Sequence, residues 1–131
     1  MFVIDYKSRI PLYRQIIDRV EQLAARGLLP PDSQLPSVRA LAMELSINPN
    51  TIARAYDELE ARGIIYALPG RGNFIANDQQ AVKAAALAQS QHKLTALAGE
   101  VKAMGEGHDR WRGMCERAWA GEDKVSEEAQ A

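Results

Sequence analysis

All six prolines of this chain (Pro11, Pro30, Pro31, Pro36, Pro49 and Pro69) lie within its first 69 residues, and the 62 residues that follow, 70–131, contain none. Proline locks φ and donates no backbone hydrogen bond, so it belongs at helix starts, turns and strand edges. The front of the chain is therefore expected to be a series of short, sharply bounded elements, and the back is free to run as helix. A length of 131 residues suits one small domain with a helical extension. It leaves no room for a separate catalytic or ligand-binding domain of ordinary size.

Within the front, Pro11 opens a helix in which Leu12, Ile16, Val20 and Leu23, flanked by Ile17 and Ala24, recur at helical spacing until Gly27. Residues 28–35 read as a loop. A second helix of about ten residues is expected from Pro36–Ser37, burying Val38, Leu41, Ala42 and Leu45. Ser46, Ile47 and Asn48 form a tight turn, in which the Asn48 side chain can cap a third helix that has Pro49 at its first position. That helix turns Ile52, Ala55, Tyr56 and Leu59 inward and ends at Gly63. Two helices joined by so short a turn are the signature of a helix-turn-helix.

The β-type run at 64–68, the turn residues at 69–72 and the return at 73–75 describe a hairpin directly after the third helix, that is, a wing. The expected architecture is mainly α with a small β-hairpin: a winged helix-turn-helix over residues 1–76, then a C-terminal helical tail over 77–131. Phe2, Val3 and Ile4 are strand-like but have no assigned place.

Several function classes fall away. The hydrophobic content is 47%, too high for a disordered chain. A single cysteine, Cys115, allows no internal disulfide and suits a reducing compartment. The N-terminus shows no signal peptide, and no apolar run approaches the ~20 residues that span a bilayer, so a cytoplasmic protein without a membrane role is expected. His92 and His108 lack partners at metal-ligand spacing, and no nucleophile, base and orienting group come together. Gly70 and Gly72 are not a dinucleotide fingerprint, because the third glycine and the following helix are missing. No enzyme, metal or cofactor is expected.

Charge alone does not announce a nucleic-acid partner. Residues 1–76 carry nine Lys and Arg against eight Asp and Glu. The argument rests on placement. The third helix of a helix-turn-helix enters the major groove N-terminus first. Asn48, Asn50 and Thr51 stand there as short polar groups suited to phosphates or base edges, at a helix end that favours phosphate. Arg71, between Gly70 and Gly72, can approach the minor groove from the wing tip.

Three blocks, LPSVRALAMEL (35–45), NPNTIARAYDELEARG (48–63) and PGRGNFI (69–75), resemble the DNA-binding domain of GntR-family bacterial transcription regulators, over about residues 10–76. Asn48, Pro49, Asn50 and Thr51 with Ala55 and Tyr56 resemble the YtrA-like branch, which has only a short helical tail. The resemblance implies that Arg39 reaches a base, where its planar fork matches guanine O6 and N7, and that Ser37 and Tyr56 contact phosphates. Many members of the family carry arginines where this chain has Pro49 and Ala53. Base reading here should therefore lean on Arg39, the Asn-rich helix start and Arg54. The resemblance further implies a repressor of its own operon and of transporter genes.

In the tail, Asn77 to Gln80 offer a capping-box pattern opening a long Ala-rich helix. Leu87, Leu94 and Val101 fall seven apart, with Leu97 and Met104 as the companion seam. A second helix after Gly107 places Trp111 and Trp119 on one face, and the polar ending after Ala120 is expected to fray. Two such hairpins packed together would bury this stripe, and the family resemblance also points to a homodimer on an inverted-repeat operator in double-stranded DNA. Two alternatives stand beside this reading. One is a winged helix used for protein contacts. The other is an effector-gated regulator with an unknown small molecule at the dimer interface, the tail showing no pocket of its own.

Overall fold

The computed structural model describes residues 2–122, which form five helices and one two-stranded sheet: α1 (Leu12–Ala25), α2 (Val38–Leu45), α3 (Pro49–Ala61), β1 (Ile65–Leu68), β2 (Gly72–Ile75), α4 (Gln79–Ala103) and α5 (His108–Ala120). The polar ending, from residue 123 on, lies outside the described residues. The chain divides into two compact units, Met1–Gln89 and Ser90–Ala131.

In the first unit, α1 to α3 and the hairpin enclose one apolar core. Ile16, Ile17 and Val20 of α1 meet Leu41 of α2 and Ile52 and Leu59 of α3, and Ile64 and Ile75 close the sheet end. Val82, in the first turns of α4, is buried in the same cluster. The helix ends follow from single residues. Ser37 Oγ accepts from the Ala40 N–H at 3.0 Å and starts α2. Asn48 Oδ1 accepts from the Asn50 N–H at 2.8 Å and starts α3 ahead of Pro49. Gly63 takes φ +77, which lets the Ile64 N–H turn back to the Leu59 carbonyl and end α3.

Four features differ from the sequence reading or go beyond it. Asp78, with no glutamine reaching back, caps α4: its Oδ1 accepts from the Ala81 N–H at 3.1 Å, three residues on. The first residues form no strand. Phe2 inserts into the core, and Gln15 ties the segment down by pairing with both backbone groups of Asp5 and with the Ile10 carbonyl. Glu21 is buried on the apolar face of α1 and meets the Arg62 guanidinium at 3.4 Å. Arg62 also bonds Glu58 one turn earlier in α3, at 3.1 Å. A buried carboxylate demands such partners, because its desolvation is otherwise uncompensated.

The fourth difference concerns the stretch at 28–35. Its second half is an extended run laid against β2. The Leu35 N–H donates to the Asn73 carbonyl and the Ile75 N–H to the Ser33 carbonyl, at 2.8 and 2.9 Å, on either side of a bridge between Gln34 and Phe74. The wing is thus backed by a third, short edge. Tyr66 adds a side-chain bond to it, its hydroxyl donating to Asp32 Oδ1 at 2.7 Å.

In the second unit, α5 has no buried residue. Trp119 is 94% exposed and Met104 75%, and Leu94 and Leu97 are also exposed. Among the described residues no helix is long and apolar enough to cross a membrane.

Candidate nucleic-acid interface

The start of α2, the start of α3 and the tip of the hairpin each carry polar groups that the fold leaves unspent. Arg39 stands on the exposed side of α2, two residues from its cap, and its guanidinium makes no ion pair or hydrogen bond among the described residues. The Arg71 side chain is equally unspent at the tip, where Gly70 has φ +76 and the Arg71 N–H closes the turn onto the Leu68 carbonyl at 2.9 Å. Arg62 shows the contrast. It is an arginine of the same unit, but it is half-buried and its guanidinium is taken up by Glu21 and Glu58.

At the head of α3, Asn50 is exposed and its side chain has no partner among the described residues. Thr51 is half-buried and likewise free at its hydroxyl. Asn48 and Ser37 act as helix caps, as described above. Each keeps donor capacity, because a cap uses only the oxygen as acceptor: Asn48 retains its amide NH2 and Ser37 its hydroxyl proton.

Two of the expected residues are placed differently from these. Tyr56 is 3% exposed, and its hydroxyl donates to the Pro36 carbonyl at 2.7 Å. Burial, with Glu44 nearby, pushes its phenol well above the usual range. That bond holds the backbone immediately before Ser37, so Tyr56 braces the start of α2 from behind. Arg54 is exposed, but its guanidinium carbon lies 3.7 Å from the centroid of the Tyr13 ring on α1. No local signal marks Tyr13 for this role. Glu21 was legible in principle, since positions 17, 21 and 24 fall on one helical stripe.

Comparison with known proteins covers the same stretch of chain. The description "Bacterial regulatory proteins, gntR family" fits residues 12–75. The uncharacterized HTH-type transcriptional regulator YhcF of Bacillus subtilis is 41% identical over 103 residues, covering 77% of this chain and 81% of YhcF.

The chain belongs to the GntR family.

Within the GntR family it falls in the YtrA-like branch. The HTH-type transcriptional repressor YtrA of Bacillus subtilis is 46% identical over 78 residues, which cover 60% of each chain. A GntR family transcriptional regulator from Listeria monocytogenes superposes with a TM-score of 0.75 at 27% identity, over 86% of this chain and 98% of that one. The protein is a DNA-binding transcription regulator of winged-helix fold.

The GntR tail also contains a concavity that was not legible in the sequence. An open groove of about 390 Å3 lies between the end of α4 and the start of α5, lined among others by Val101, Lys102, His108 and Trp111.

Proposed function

We propose that the chain is a cytoplasmic, homodimeric repressor that reads an inverted-repeat operator, controlling its own operon and transporter genes. Residues 1–76 serve as the DNA-binding domain and 77–131 as the dimerisation tail. The observation that carries the reading is where two unpaired arginines stand: Arg39 near the start of α2 and Arg71 at the wing tip, with the free polar side chains of Asn50 and Thr51 at the head of α3. Arg39 takes a guanine edge in the major groove. Asn48, Asn50, Thr51 and Ser37 take phosphates or base edges beside it, with Arg54 at the flank. Arg71 enters the minor groove, where Gly70 and Gly72 let the backbone come close.

Dimerisation is supported by the tail's own exposure. Leu87, Leu94 and Leu97 on α4, Met104 just after it and Trp119 on α5 are open to solvent within one chain, and Val101 and Trp111 are only half covered. An apolar strip of this extent marks an interaction surface. A second copy supplies the same strip and the two-fold axis that an inverted repeat requires.

The test is a fluorescence-anisotropy titration of the duplex upstream of the protein's own gene against a random duplex of equal length, at about 150 mM salt. Selective binding at two chains per duplex supports the reading. Equal, weak binding to both duplexes sinks it, and points to a winged helix used for protein contacts.

One observation favours gating by a small effector as an added layer. The tail groove sets an indole beside a lysine and a histidine, Trp111 with Lys102 and His108, a lining suited to a small anionic or aromatic molecule.

A further inference from the structure

The residue at the wing tip is held by a side chain from outside the hairpin. Gln34 lies on the extended run that backs β2, and its Nε2 donates to the Arg71 carbonyl oxygen at 2.8 Å, across 37 positions of sequence. The neighbouring Gly72 makes room for it. A Cβ at Gly72 would stand 2.8 Å from Gln34 Nε2, and the backbone there has φ +118, a conformation that L side chains rarely adopt. The bond uses the backbone of Arg71 and leaves the guanidinium free.

Such an anchor matters because the hairpin is small. Each strand has four residues, and an isolated two-stranded hairpin is marginal in water. Left to itself, the tip would order only on meeting DNA, and that ordering would subtract from affinity. The run that supplies Gln34 continues through Leu35 and Pro36 into Ser37, the cap of α2, and then Arg39. Gln34 therefore ties the wing tip to the same stretch of backbone that leads into Arg39.

We propose that Gln34 is a positioning residue for DNA recognition: its amide fixes the wing tip against the start of α2, so that Arg71 and Arg39 are presented to the duplex in one preset arrangement. The role rests on the reading above that Arg71 contacts DNA, and acts through Arg71 without Gln34 touching the duplex.

The test compares the parent with Gln34→Met, which keeps length and charge but removes the donor, and with Arg71→Ala and the double variant. Backbone amide NMR relaxation of the free protein is read at Gly70, Arg71 and Gly72, with Tyr66 and Phe74 as controls for an intact sheet. Affinity is read by anisotropy on the duplex upstream of the protein's own gene. Gln34→Met should loosen the three tip amides, leave the controls rigid, and weaken binding by about 2- to 10-fold, the net worth of one hydrogen bond. It should weaken binding no further once Arg71 is alanine. Tip amides as rigid in Gln34→Met as in the parent would overturn the proposal, as would an equal loss with and without Arg71. A loosened tip together with an Arg71→Ala variant that binds like the parent would locate the failure in the DNA contact itself, and the positioning role would fall with it.

Discussion

The guanidinium of Arg54 lies over the ring of Tyr13, 3.7 Å from its centroid, and so links the third helix of the helix-turn-helix to the first. Arg54 is exposed and Tyr13 half-buried against the core, and a cation over an aromatic face near the surface is worth about 0.5–1 kcal/mol. The contact limits where Arg54 can swing, since extending toward a phosphate means leaving the ring. A double-mutant cycle of Tyr13→Leu and Arg54→Ala in urea unfolding should return a coupling of about that size. Additive effects would mean that the stacking contributes nothing in solution.

Arg39→Ala should cost about 1–3 kcal/mol on the operator and much less on a random duplex, because a bidentate base contact carries discrimination. Parallel anisotropy titrations on the two duplexes decide it. An equal loss on both would reassign Arg39 to a phosphate.

Placing charge on the tail stripe should separate the copies. Leu94→Asp with Leu97→Asp puts two carboxylates on a face that is already solvent-exposed in the single chain, so the fold of the first unit should survive while association fails. Sedimentation velocity would show monomer, with unchanged circular dichroism in the helical region. A dimer that persists would remove this stripe from the interface.

Alkaline unfolding should report on Tyr56. Its phenol is raised in the folded protein, first by burial and then by Glu44. The folded state thus keeps a proton that the unfolded chain gives up above pH ~10. The associated stability is intact below that pH and falls as pH rises beyond it. Tyr56→Phe removes this titration but also the bond to Pro36, so it should be less stable at neutral pH and less sensitive to alkali. Urea midpoints at neutral pH and above pH ~10 compare the two chains. Equal alkaline slopes would rule the phenol out. Tyr66 is also raised, chiefly through its bond to Asp32, and contributes in the same direction.

The helices and their inward faces were legible because each depends on neighbours in sequence. Ile52, Ala55, Tyr56 and Leu59 follow the period of a helix, and Asn48 followed by Pro49 states where it begins. What escaped were relationships that join distant positions. The helical stripe places Glu21 inward, but nothing near it in sequence names Arg62, 41 positions away, as its partner. Tyr13 carries no mark of Arg54. The composition of residues 28–35, with its prolines and polar groups, describes a turn well, but says nothing of β2 drawing Ser33 to Leu35 into register. Ser37, Asn48, Arg39 and Arg71 could be named as candidates from sequence because family resemblance and local chemistry agree on them. Spacing turned Tyr56 inward and the family resemblance implied a phosphate contact for it; only the fold shows its hydroxyl turned to Pro36.

Connecting segments between helices are where proteins most readily accept extra residues. Here that freedom is unevenly distributed. After α1, Leu29 is buried in the core with its N–H on the Leu23 carbonyl at 3.2 Å, so extra residues fit only beside that anchor, at the exposed Pro30 and Pro31. A single residue added between Ser33 and Leu35 would shift the register against β2 and turn Gln34 away from the Arg71 carbonyl, altering how the wing is presented while every groove-facing residue keeps its identity. On the proposed reading, the length of a segment with no assigned base contact therefore helps to set how the wing meets an operator.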